Sequence, residues 1–395
     1  MSWDPAPAPS VQGDEPFSGL EVERARRYHR PLNNGFVADL ALGLGLLGAL
    51  AFSPLGHWLY RPVRSWPWWA ATLAFTAMIV LVAALVRMPL AFWRGYLHEH
   101  EWGFSTQSVG GWATDRAKGL GMALVLTSSL LAGFVGLARV VPSAWPILVG
   151  GAFAGFVLVM SFVSPLILEP IFNRFRPLED SALTAEIRAV SERAGVPVRD
   201  VLVADASRRT RKENAYVSGL GRTRRVVVFD TLLAREDRPG LLLVVAHELG
   251  HRRLRHVAKG TALGMAGAFA AVIGLWAVLQ DETLLRAAGA TGAGDPRVVP
   301  LVLLTGMVLQ LLASPFESAV SRRWESVADR FSLATTQDAA VFERSFHDLA
   351  VANLSDLRPP RWLYLMAYSH PTPPERIEAA RAWTRGPATK AASAG

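Results

Sequence analysis

Residues Val244–His251 read VVAHELGH, and an apolar run, GTALGMAGAFAAVIGLWAVL, begins shortly afterwards at Gly260. On an α-helix, residues four apart lie on one face. His247 and His251 then present two imidazoles to one ion, and Glu248 projects beside them. This is the H-E-x-x-H arrangement, in which the histidines hold a metal and Glu248 is the general base, not a ligand. The plainer alternative is a helix end with two solvated histidines. The apolar run decides the setting: a metal centre here lies against a membrane.

Composition supports that setting. Hydrophobic residues make up 51% of the 395 residues and charged residues 19%, too apolar for a single soluble domain. Without cysteine, disulfides and thiolate ligands are excluded, so a zinc ion has only nitrogen and oxygen donors. The net charge of +8 is carried mostly by arginine. In a membrane protein such an excess near span ends sets topology and attracts anionic headgroups. No aromatic-interleaved basic patch accompanies it, which argues against a nucleic-acid partner.

Along the chain, residues 1–34 form a polar N-terminal tail without the pattern of a signal peptide. Apolar segments long enough to span follow at about 36–54, 67–88, 118–138, 143–168, 259–280 and 298–316. None carries Asp, Glu, Lys or Arg in its middle, which argues against an ion-coupled transporter. Arg24, Arg26, Arg27 and Arg30 precede the first span and favour a cytoplasmic N-terminus. Counting spans then puts 169–258 and 317–395 on the same side, the cytoplasm, so the two can share one site.

The expected organisation follows: tail 1–34, four spans in 35–168, a first protease segment 169–258, a transmembrane hairpin 259–316, a second protease segment 317–384 and a flexible tail 385–395. Within 169–258, SALTAEIRAVSERAG reads as an amphipathic helix with Ser181 at its N-cap and Gly195 just past its end. VRDVLVADA alternates like a strand. NAYVSGL and RRVVVFD flank Gly221-Arg222-Thr223 and suggest a β-hairpin. The fold class expected is mainly α: a polytopic helical membrane protein of six or seven spans with a cytoplasmic α+β domain containing a small sheet.

A catalytic zinc needs a third protein ligand and an open position. In RRWESVADRF, after the sixth span, Glu325 and Asp329 are again four apart. Glu325 can ligate, and Asp329 can accept the outer N–H of a ligating histidine. A solvated amphipathic face is the alternative, and the shared side of the membrane weighs against it. His256 reads as lipid- or solvent-facing.

HELGH, ESVAD and SHPTPPERI, in that order, resemble the M48 membrane metallopeptidases, and most closely the Ste24-type (type I) CAAX prenyl proteases. EWGFSTQSVGGWATD, FNRFRPLED and NAYVSGLGRTRRVVVFDTLL extend the resemblance over about residues 90 to 380. It implies a gluzincin-type protease domain with one Zn2+ per chain on His247, His251 and Glu325, and Glu248 as catalytic acid/base. It further implies that Asn214, Ala215 and the hairpin strand hold the substrate backbone, as an edge strand does by β-augmentation. His370 matches a histidine that stabilises the oxyanion, and Arg376 is expected to shape that segment and to join Asn214 and Ala215 in binding substrate. Where the eukaryotic members often carry an aromatic residue after the second histidine, this chain has Arg252.

The function expected is a membrane-embedded zinc endopeptidase acting on peptide or protein substrates, lipid-modified ones included, among membrane lipids. The compact Arg-rich chain points to a bacterial cell membrane. The alternatives are an HtpX-like quality-control protease and, further off, a non-catalytic peptide-binding scaffold.

Overall fold

Among the described residues, six helices are long and apolar enough to cross a bilayer, and each overlaps one of the six expected apolar segments. The computed structural model describes residues 15–219 and 224–385, without the side chains of Pro165 and Leu166. The turn Gly221-Arg222-Thr223 and the outer parts of both expected tails lie outside the described residues.

The longer helices are numbered here in chain order. Four come first: α1 (Gly19–Phe52), α2 (Trp68–Phe92), α3 (Val109–Val140) and α4 (Trp145–Val163). α1 begins well ahead of its apolar stretch. Ser18 and Glu21 form a capping box there, each side chain accepting from the other's backbone N–H. The membrane core packs Phe75 and Ile79 of α2 against Val135 of α3 and Val298 and Val299 beyond.

The extra-membrane part starts with β1 (Phe175–Pro177), α5 (Ser181–Arg193), β2 (Asp200–Ala204), β3 (Ala215–Ser218) and β4 (Arg225–Phe229). α5 buries Leu183, Ile187 and Val190, one face at helical spacing. Its N-cap is Asp180, which accepts from Leu183 N–H at 2.9 Å, and not Ser181. A carboxylate outcompetes the neighbouring hydroxyl at the positive end of the helix dipole. Gly195 ends the turn at φ +66, where a Cβ is strained. The sheet order is β1-β2-β4-β3. β3 and β4 pair antiparallel, as the hairpin reading expects, and β2 and β4 pair parallel. β3 is an edge strand.

Next comes α6 (Arg238–Arg253), capped by Asp237 and carrying VVAHELGH. It buries Leu241, Val245 and Leu249 against the sheet and α5. Burying each leucine contributes about 2 kcal/mol, and Leu249→Ala is expected to cost about 2–5 kcal/mol. Arg255, at φ 57, breaks the helix in the left-handed region, and the chain turns into α7 (His256–Val278).

The remaining helices are α8 (Val299–Thr336), α9 (Ala339–Ala352), α10 (Arg361–Ala367) and α11 (Pro373–Arg385). α8 has 38 residues, about 57 Å at 1.5 Å per residue against about 30 Å of hydrocarbon. Its polar second half therefore continues past its apolar first half and packs on α6. Gly250 lets the two helices approach: a Cβ there would stand 3.0 Å from the Phe331 ring.

Candidate active site

On α6, the imidazole Nε2 atoms of His247 and His251 stand 3.1 Å apart. One turn of α8 brings Glu325 between them, Oε2 at 3.2 Å from His247 Nε2 and Oε1 at 3.3 Å from His251 Nε2. Ligand atoms of these three residues all lie within 4.8 Å of one another. Glu325 Oε2 is buried and, although near His247, is not aligned to hydrogen-bond with any group.

These observations fit a metal ion. A tetrahedral ion with ligands at about 2.1 Å has ligand–ligand edges of about 3.4 Å, close to the distances found. Two imidazoles and a carboxylate, with no thiolate, suit a borderline divalent cation.

The outer edges of both rings are occupied. His247 Nδ1 lies 2.9 Å from Asp329 Oδ1, so Nδ1–H donates and Nε2 keeps its lone pair for the site. Arg376 in turn donates to Asp329, Nε to Oδ2 at 2.9 Å and Nη2 to Oδ1 at 2.5 Å, and stacks over the Phe346 ring. Burial opposes protonation of His247, yet the carboxylates of Asp329 and Glu325 beside the ring outweigh it and raise its pKa to about 9.

His251 is held differently. His256 Nδ1 lies 3.1 Å from His251 Nδ1, and the His256 ring stacks on Trp324. His256 is 5% exposed, which corrects its reading as a lipid- or solvent-facing residue. The left-handed Arg255 swings α7 so that its first residue folds back beneath α6. Sequence periodicity assumes one continuous helix and could not place it there.

Glu248 faces a cavity of about 1720 Å³ whose wall joins α1, α2 and α3 to the His247 and Glu325 region. Burial pushes its carboxyl above the ordinary range, against the pull of His247 and His251. His370 and Arg376 line the same cavity. His370 Nε2 lies 3.4 Å from Glu325 Oε1, and Ser369 Oγ is 2.8 Å from its Nδ1. With Ser369 donating to Nδ1, a neutral ring carries its proton on Nε2, toward the site. Asn214 and Ala215 line the wall at the start of β3. Every expected site residue thus lies at one centre or on the wall beside it.

Residues 177–384 match the model of peptidase family M48, over half of the chain. The chain belongs to peptidase family M48. Residues 15–174 match the model described as CAAX prenyl protease N-terminal, five membrane helices; four of the six candidate spans fall in that range.

The uncharacterized metalloprotease YhfN of Bacillus subtilis is 30% identical over 314 residues, covering 78% of this chain and 72% of that protein. CAAX prenyl protease 1 of Saccharomyces cerevisiae is 29% identical over 330 residues with the same coverage. The crystal structure of Ste24p from S. mikatae shares the fold, at TM-score 0.81 and 23% identity, over 93% of this chain and 90% of that one. This M48 member is a multi-pass membrane metallopeptidase.

Proposed function

We propose that the chain is a zinc endopeptidase that cuts extended peptides entering its cavity from the cytoplasmic side of a bacterial membrane, prenylated CAAX-type termini among them. The observation that carries this reading is the His247–His251–Glu325 cluster with Glu248 beside it at the cavity wall. The arginines ahead of the first span support the orientation. Segments 169–258 and 317–384 make up the protease part, and 35–168 with 259–316 the membrane part.

His247, His251 and Glu325 would hold the ion. Zinc, when bound, supplies Lewis-acid polarisation of the scissile carbonyl and brings the pKa of a water near neutrality. Glu248 takes a proton from the attacking water on its carboxylate and gives it to the leaving amine. His370 Nε2–H donates to the oxygen on which charge develops. Asp329, held by Arg376, and His256 orient the two imidazoles. Asn214 and Ala215 hold the substrate backbone along β3.

The names of the relatives support the prenyl-protease branch over membrane-protein quality control. Purified, detergent-solubilised protein given a prenylated CAAX peptide and an unmodified membrane-protein peptide separates the two. Faster turnover of the prenylated peptide is expected; preference for the unmodified one would assign the chain to quality control.

A further inference from the structure

In an antiparallel pair, alternate residues turn their backbone groups toward the partner strand or away from it. Phe229 N–H donates to Asn214 C=O at 3.0 Å, and Tyr216 and Ser218 stand opposite Val227 and Arg225. Asn214, Tyr216 and Ser218 therefore face β4. By the same alternation Glu213, Ala215 and Val217 turn N–H and C=O to the open edge of the sheet, where no further strand pairs among the described residues.

Side chains already close that edge at both ends. Asn353, at the C-terminus of α9, imitates a strand residue: Glu213 N–H donates to its Oδ1 at 2.9 Å, and its Nδ2 donates to Glu213 C=O at 3.1 Å. At the other end Arg252, next to His251 on α6, donates from Nη2 to Val217 C=O. Between them lie the N–H and C=O of Ala215 and the N–H of Val217, with no partner among the described residues. Ala215 is 3% exposed and Val217 6%, and buried backbone groups are almost always paired. Three unmet groups in a row, beginning at Ala215 on the cavity wall that Glu248 also lines, point to a ligand that supplies a strand.

We propose that Asn353 and Arg252 are positioning residues that bracket the substrate edge and restrict strand addition to these three groups. The inference rests on the reading that β3 holds the substrate backbone. A bound chain is extended against the sheet over about three residues and leaves the edge on both sides. Beyond Val217 N–H it meets a guanidinium, which repels an incoming N–H donor. Beyond Ala215 it meets an amide already engaged with Glu213. Backbone pairing thus orients the scissile bond, and length and affinity come from side chains or an attached lipid. Such a site accepts a bulky or lipid-bearing residue close to the bond, because the flanking chain is free of the sheet.

Single backbone N-methylations scanned along the faster-cut of the two peptides above test this. Ala215 C=O is the one open acceptor, so one position is expected to lose roughly tenfold in kcat/KM. Positions two residues to either side are expected to lose less than about twofold. In Arg252→Ala, which frees Val217 C=O, a second sensitive position emerges two residues to one side. In Asn353→Ala, which frees Glu213 C=O, it emerges on the opposite side. A purely structural role for either residue would lower turnover without moving this pattern. Wild type already sensitive at positions two apart would overturn the bracketing while keeping strand addition. An unchanged pattern in whichever variant folds and retains metal would overturn it too. Wild type that cuts the peptide but is indifferent to every methylation would overturn the strand reading itself.

Discussion

Asp329 Oδ1 stands 2.9 Å from Nδ1 of His247, across the ring from the Nε2 that faces Glu325. The two residues are separated in sequence by the whole transmembrane hairpin, and their contact ties α6 to the far half of α8. It sets the tautomer that leaves the Nε2 lone pair toward Glu325, and Arg376 fixes Asp329 from behind. Asp329→Asn keeps the size of the side chain but removes its charge. Zinc affinity is expected to fall about 10–100-fold, measured by competition with a chromophoric chelator. Affinity equal to wild type would remove Asp329 from the account.

Glu325→Ala deletes the carboxylate between the two imidazoles. Less than about a tenth of the wild-type zinc should survive dialysis, since three protein ligands are the norm for such sites. Metal analysis of the purified variant decides this, and full occupancy would require a different third ligand.

For His370→Ala, kcat is expected to fall about 10²–10³-fold with little change in KM and none in zinc content. That pattern marks a donor acting only in the transition state. Steady-state kinetics showing a rise in KM alone would make His370 a binding residue.

Glu213 gives a pH dependence. Burial raises its pKa from 4.5 to about 7, while Arg235, half in solvent at 3.1 Å, pulls the other way without offsetting it. The folded state therefore favours the protonated carboxyl. That stabilisation is fully present below about pH 4.5 and is lost as pH rises through about 7. Glu213→Gln removes the titration. Relative to the variant, wild type should lose up to about 3 kcal/mol across this window, several degrees in apparent Tm. Parallel melting curves of the two proteins from pH 4 to pH 8 would refute this.

Much of the fold and centre is legible in the sequence because the signals are local. Six spans follow from uninterrupted apolar runs, and the spacing of His247 and His251 places them on one face. Glu325 required a topological step: both segments had to return to the same side of the membrane. Other features arise from contacts that no local pattern encodes. His256 reaches His251 only because Arg255 takes a left-handed turn. Asn353 and Glu213 are 140 positions apart, and their pairing depends on how α9 packs. Arg252 stands out in sequence as a departure from the family's aromatic residue, but its contact with Val217 emerges only from the sheet order. α1 extends ahead of its apolar stretch because its polar start is capped by Ser18 and buries Ala25 and Tyr28, so hydropathy alone misplaces its beginning.

The most direct measurement compares wild type with Glu248→Gln, purified in detergent, for zinc content and peptide cleavage side by side. The variant keeps the shape of the site and all three ligand side chains, and loses only the group that moves the proton. The account predicts equal zinc in both and turnover by the variant about 10²–10⁴-fold below wild type. A Gln variant that retains zinc and cuts at more than about a tenth of the wild-type rate would contradict Glu248 as the catalytic base.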